Sequence, residues 1–184
     1  MTTCSTRMHA KMGPFLPEIY PFPFYGIDKS DEEVERDCMK AMETAFSTYL
    51  PATEVAAMVI EPVQGDGGIL PAHPIFMKKL YETCKKYGIL FGTSICYTSQ
   101  NYKVVTSDEF LDLLISKGCV FAWYFHYMPV GVSASTELLP TPEQRAYMKD
   151  RVREIRGVTG GKELYCIDFQ NDGEFAGGCV AGGR

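Results

Sequence analysis

From residue 30 onward the apolar positions alternate between two rhythms, a helical three-to-four spacing and short continuous runs, with capping or breaking residues at each change. Val34, Cys38, Met42, Ala45, Phe46 and Tyr49 form one helical stripe. It begins at Ser30, which makes a capping box with Glu33. Asp31 and Glu32 sit at the positive end of the helix dipole, and Pro51 stops the helix. Val55 to Ile60, VAAMVI, is a continuous apolar run and predicts a strand buried on both faces, as in a parallel sheet covered by helices. Glu61 and Pro62 end it. The glycine-rich connection VQGDGGIL leads to Pro74, the start of a helix whose apolar face is Phe76, Met77, Leu80, Cys84 and Tyr87 and whose stop is Gly88.

Lys86 to Tyr97, KYGILFGTSICY, reads as the next strand. Thr106 with Glu109 predicts a second capping box ahead of Phe110, Leu111, Leu114 and Ile115, with Gly118 closing that helix. Val120 to Tyr127 is a third strand. Thr141, Pro142 and Gln144 open a helix running to Arg156, and Leu164 to Phe169 is a fourth strand. Residues 1–29 hold Pro14, Pro17, Pro21 and Pro23 among aromatics and predict an irregular arm. The expected fold class is therefore α/β. One domain over residues 1–184 should hold a parallel sheet of about four strands in sequential order, half-barrel-like, with the strand at 86–97 inside it.

Composition narrows the function classes. A formal charge of -5 over 184 residues argues against a basic nucleic-acid-binding surface, and no apolar run approaches the roughly 20 residues that span a bilayer. The opening MTTCSTRMHAKMGPF lacks the apolar core of a signal peptide, and the seven cysteines are dispersed and never spaced CxxC. The expectation is a cytoplasmic protein with neither nucleic acid nor membrane as partner, able to self-associate through exposed sheet edges.

Ligands of parallel α/β sheets sit beyond the carboxyl ends of the strands. Those ends are expected to carry Glu61 and Gln64, then Tyr97, Ser99 and Gln100, then His126 and Tyr127, and finally Asp168, Gln170, Asn171 and Asp172. His126 beside Glu61 or Asp168 could form a general acid-base pair, although a lone histidine in an aromatic strand is more often structural. The loop QGDGG, residues 64–68, lacks the spacing of a phosphate cradle and reads as a turn.

Two stretches carry family resemblances. Glu61 to Gly68, EPVQGDGG, with the helix to Tyr87 and GILF beyond it, is similar to the EPVQGEGG region of class III aminotransferases, the 4-aminobutyrate enzymes above all; GPFLPEIY, residues 13–20, resembles their upstream stretch. The resemblance covers residues 1–91. It implies a pyridoxal phosphate ancestry and places Glu61 and Gln64 at the cofactor and substrate site, with Glu61 paired to an arginine. The family's aspartate for the pyridinium nitrogen is replaced by GTSICY, and its Schiff-base lysine has no counterpart, so no aldimine is expected.

Residues 92–184 resemble the later part of a radical SAM barrel running into a SPASM domain, through CYTSQNYKVVTSDEFLDLLISKG, WYFHYMPVG, TPEQRAYMKDRVREIR and DFQNDGEFAGGCVAGGR. This resemblance places Pro129 and Gly131 at a strand end lining a SAM pocket and makes Cys179 an auxiliary iron-sulfur cluster ligand. The CxxxCxxC loop of the catalytic cluster has no match. The combined expectation is a chimeric α/β protein with no intact catalytic function and no bound cofactor, pyridoxal phosphate and iron-sulfur/SAM belonging to its ancestry. The alternatives are a residual enzyme component needing further chains and a small-molecule binder at the strand rim.

Overall fold

The computed structural model describes residues 10–173 apart from 12, 15, 16, 66 and 158–160. It divides into two compact units, residues 1–89 and 90–184. No helix among the described residues is long and apolar enough to cross a membrane.

The first unit is built on two helices, α1 (Asp31–Thr48) and α2 (Pro74–Tyr87). The capping box of α1 forms as its sequence dictates: Ser30 Oγ accepts from the Glu33 amide at 3.3 Å, and Glu33 Oε2 accepts from the Ser30 amide at 3.2 Å. Pro74 opens α2, but the cap is His73, whose Nδ1 accepts from the Ile75 amide at 3.2 Å. Gly88 closes α2 with φ 67°, the left-handed geometry that glycine adopts without steric cost. Val34, Cys38 and Met42 of α1 pack with Phe76 of α2 and with Tyr25, whose ring lies 5.1 Å from that of Phe76. Lys79 reaches Glu35 across the helix pair at 2.8 Å. The strands of this unit are two residues each, β1 (Val63–Gln64) and β2 (Leu70–Pro71), paired antiparallel.

The second unit is a βαβαβ layer. Strands β3 (Gly92–Tyr97), β4 (Phe121–His126) and β5 (Tyr165–Asp168) form a parallel sheet in sequential order, connected by α3 (Asp108–Ser116) and α4 (Pro142–Ile155). Leu111 and Leu114 of α3 and Met148, Val152 and Ile155 of α4 bury one sheet face, made by Tyr97, Ala122, Tyr124 and Cys166. Tyr124 satisfies its buried hydroxyl by donating to the Val105 carbonyl at 2.8 Å. The register sets Ser94 beside Trp123 and Cys96 beside Phe125, on the opposite face with Phe121, Tyr165, Ile167 and Phe169. Trp123, Phe125 and Phe169 contact one another there, with ring centroids 5.0 to 5.9 Å apart.

The α/β class, the parallel pairing and the sequential order hold, and three details differ. Val55–Ile60 is not a strand, and Val59 is 80% exposed. An apolar run of this kind is held as a strand only by hydrogen-bonded neighbours. The strand count in the parallel sheet is three, so β3 lies at its edge rather than inside it. The cap of α3 is Ser107, not Thr106: Ser107 Oγ accepts from the Phe110 amide, while the buried Thr106 hydroxyl donates to the Tyr102 carbonyl at 2.8 Å. The cap of α4 falls where expected, on Thr141 with Gln144.

Candidate functional site

The polar side chains of the second unit converge at the carboxyl ends of β3, β4 and β5. Tyr97 and His126 are register partners at the last positions of β3 and β4, and their rings stand 6.2 Å apart at 72°. Asp168 ends β5, one strand over and two residues back, opposite Tyr124. Strand alternation turns Tyr97, His126 and Asp168 toward the helix-covered face. Helix α4 begins above them: Gln144 Nε2 donates to the Ser99 carbonyl, and the Arg145 carbonyl accepts from Asn171 Nδ2, both at 3.1 Å.

Most groups of this rim are satisfied. Gln170 Oε1 accepts from the His126 amide at 3.1 Å. Asn171 Nδ2 donates to Asp168 Oδ2 at 2.6 Å, and the Asp168 amide donates to Asp172 Oδ2 at 2.9 Å. Arg156 clamps Asp172 through two bonds of 2.8 and 3.0 Å, which fixes the turn after β5. Two atoms stand out. Tyr97 Oη and His126 Nδ1 are buried and find no hydrogen-bond partner among the described residues. An unpaired buried polar atom carries a desolvation cost of about 1–3 kcal/mol, which a bound partner would remove.

Burial disfavours charge at the centre of the site. Burial pushes the Tyr97 phenol well above its ordinary range, the Asp168 charge adds to this, and Arg145 opposes it. Burial lowers the His126 imidazole, and Arg145 lowers it further. Burial also raises the Asp168 carboxyl, against the hydrogen bonds from Asn171 that lower it. The site thus presents a phenol that keeps its proton, an imidazole that binds a proton less readily than an exposed one and a carboxyl that holds its proton more tightly. Arg145, exposed on the first turn of α4, supplies the nearby positive charge.

The residues that resemblance singled out lie elsewhere. Glu61 is exposed, and its carboxylate accepts from the Gly65 amide at 3.2 Å. Gln64 folds over Gly67, where an added Cβ would come within 2.6 Å of its Oε1. Both belong to the first unit; Pro129 and Gly131 belong to the second, in the exposed loop after β4, where Gly131 takes φ 93°. Cys179 lies outside the described residues. Among the described residues no three His, Cys, Asp or Glu side chains gather as a metal site. The rim residues Tyr97, Ser99, His126, Asp168, Gln170 and Asn171 are brought together at one end of the sheet. The acid-base pair expected of His126 is not formed with Asp168: His126 Nδ1 has no hydrogen-bond partner among the described residues, and Asp168 is held by Asn171 instead. Arg145 and Gln144 gave no sign in the sequence as site residues, because an exposed helical arginine or a capping glutamine has no local mark of what lies beneath the helix.

Residues 1–93 match the aminotransferase class-III family. This chain belongs to that family. It is 35% identical over 93 residues to isoleucine 2-epimerase of Lentilactobacillus buchneri, covering 48% of this chain and 21% of the relative. It is 37% identical over 167 residues to a probable 4-aminobutyrate aminotransferase of Bacillus subtilis, covering 84% of this chain and 35% of that protein. With 4-aminobutyrate aminotransferase GabT of Escherichia coli it shares 36% over 86 residues, 47% of this chain and 19% of GabT. The class-III chain thus spans between about a fifth and a third of the length of these curated relatives. The family match ends beside the join expected at residue 91, but the alignment with the B. subtilis protein runs well past it.

A class-III ancestry raises the question of pyridoxal phosphate, and the residues present do not fit it. Glu61 and Gln64 are engaged in their own turn. The lysines of α2 are turned to other work: Lys78 and Lys79 pair with carboxylates, and Lys85 and Lys86 lie over tyrosine rings. Lys40 lines a cavity of about 500 Å³ between the proline-rich arm and α1, together with Tyr25, Asp37 and Tyr49, and neither Glu61 nor Gln64 borders it.

Proposed function

We propose that this class-III chain performs no transamination by itself and that its working site is the rim of the second unit, where it binds a small polar molecule without turnover. One observation carries the reading: Tyr97 Oη and His126 Nδ1, both buried and unpartnered, lie on adjacent strand ends beside Asp168, the position where parallel sheets hold ligands. A protonated phenol donates, a neutral imidazole donates or accepts according to its tautomer, and Arg145 offers charge to an anionic group.

The radical SAM kinship of residues 92–184 remains a second reading, supported by the sequence runs and by the sequential parallel order of β3, β4 and β5, which a barrel segment would have. The B. subtilis alignment over most of the chain speaks for aminotransferase ancestry there too.

Two measurements test the proposal. Incubation with pyridoxal phosphate, removal of the excess and borohydride reduction should leave no stoichiometric label; full labelling at one lysine would refute the non-catalytic half. A screen of small polar molecules followed by the imidazole signals of His126 should find a saturable ligand whose effect disappears in Tyr97→Phe. If none shifts His126, the rim is structural.

A further inference from the structure

Three buried polar side-chain atoms find no hydrogen-bond partner among the described residues: Thr93 Oγ1, Tyr97 Oη and His126 Nδ1. Thr93 stands apart, near the amino end of β3, while the other two belong to register partners at the carboxyl end of the sheet, with rings 6.2 Å apart. Tyr97 is fully buried, so bulk water does not complete its hydroxyl. Resting on the reading of the rim as a binding site, we propose that the group seated between Tyr97 Oη and His126 Nδ1 is a hydroxyl, and that the ligand is a small hydroxy acid whose carboxylate is held by Arg145.

Donor and acceptor chemistry selects the hydroxyl. A phenol donates one hydrogen bond, and the nitrogen of a neutral imidazole donates or accepts according to its tautomer. A ligand hydroxyl suits either tautomer of His126. It accepts from Tyr97 and donates to Nδ1 where that nitrogen is bare, and it accepts from both where Nδ1 carries the proton. A carboxylate oxygen serves only the second case. It would also bring charge to a place where burial disfavours it, beside the buried Asp168. Asp168 and Asp172 do not compete for the ligand hydroxyl, because Asn171 holds the first at 2.6 Å and Arg156 clamps the second at 2.8 and 3.0 Å. The negative charge of the ligand belongs instead at Arg145, exposed on the first turn of α4 and without an ion pair among the described residues. Asn171 Nδ2 ties this turn to the rim, donating to the Arg145 carbonyl at 3.1 Å as well as to Asp168. The Arg145 charge is felt by both Tyr97 and His126. A simple acid would leave the buried pair unsatisfied, and a simple alcohol would leave Arg145 without a counter-charge.

Glycolate and 3-hydroxypropionate are the probes, titrated into the full chain and followed by the imidazole resonances of His126, with propionate and 1-propanol as compounds that each lack one of the two groups. The better hydroxy acid should bind about tenfold more tightly than propionate or 1-propanol, the ratio that one hydrogen bond or one charge contact supplies. Tyr97→Phe should reduce its affinity to that of propionate, and Arg145→Gln to that of 1-propanol, with circular dichroism unchanged in both. Without ligand, Tyr97→Phe should raise the melting temperature, because it deletes a buried hydroxyl that has no partner. A fall instead would mean that this hydroxyl is already satisfied, as by a buried water, and would overturn the proposal. If propionate or 1-propanol binds as tightly as the hydroxy acids, the rim is a binding site but the hydroxy-acid assignment is wrong. If no probe moves the His126 resonances, the binding reading of the rim falls and the assignment with it.

Discussion

In the unit of residues 90–184 each strand has a helix to lean on, and twelve residues make a buried cluster running from Tyr97 to Cys166. In the unit of residues 1–89 two helices hold each other through Val34, Cys38, Met42 and Phe76, with Tyr25 of the arm, and the segment between the helices stays largely wet, with Val59, Val63, Ile69 and Leu70 all exposed. The difference follows from connectivity. A βαβ unit closes its hydrophobic face with its own crossover helix, so consecutive stretches of chain satisfy one another. The run from Val55 to Ile60 is apolar in the manner of an inner strand and needs neighbours that a two-residue ribbon does not supply. EPVQGDGG follows it directly and is likewise left largely exposed among its described residues.

The comparison breaks first at the cores. Leu111→Ala should cost about 2–5 kcal/mol in denaturant unfolding, because Leu111 is fully buried between α3 and the sheet. Val59→Ser should stay within about 0.5 kcal/mol, as for an exposed site away from structural features. Equal costs at the two positions would mean that the wet segment is in truth covered.

A smaller effect sharpens the contrast at the rim. Asp168 is buried with its carboxyl raised, chiefly by burial, so the folded chain binds that proton more tightly than the unfolded one. Its stabilising contribution is then fully present below the ordinary carboxyl value near 3.9 and is lost as pH rises through the folded value. Exposed carboxylates of the other kind, such as Glu35 held low by Lys79, contribute in the opposite sense. The stability of Asp168→Asn relative to the parent should therefore climb as pH rises from 4 to 7. A flat difference would show that the carboxyl is not perturbed.

The smallest effect concerns His126. Its imidazole should titrate below the usual histidine value, and Arg145→Gln should move it partway back up, since burial is the larger cause and Arg145 the smaller. Proton resonance of the ring reads both. No movement on removing Arg145 would place the guanidinium away from the rim.

Local chemistry made much of the second unit legible. Thr141 and Gln144 name the start of α4, and the rule of strand ends put Tyr97, His126 and Asp168 on one rim. What stayed hidden depends on distant partners. VAAMVI has the composition of a strand, but composition does not say whether neighbours exist. Thr106 and Ser107 are both hydroxyl residues, and only the Tyr102 carbonyl, which accepts a hydrogen bond from the Thr106 hydroxyl, distinguishes them and leaves Ser107 as the cap. His73 as a cap needs its ring turned onto the Ile75 amide, which no propensity announces.

Among the cysteines Cys38, Cys84, Cys96, Cys119 and Cys166, Cys96 alone is exposed, and it stands beside Phe125 on the aromatic side of the sheet. That position gives the chain a built-in anchor for a spin or fluorescent probe, once Cys4 and Cys179 are changed to serine. Partial burial of the sulfur raises its thiol, so attachment is faster in mildly alkaline buffer, where more of it is thiolate. A probe on Cys96 would then measure distances from the carboxyl end of β3 to any second probe in the same unit, turning one thiol into a fixed origin for the sheet.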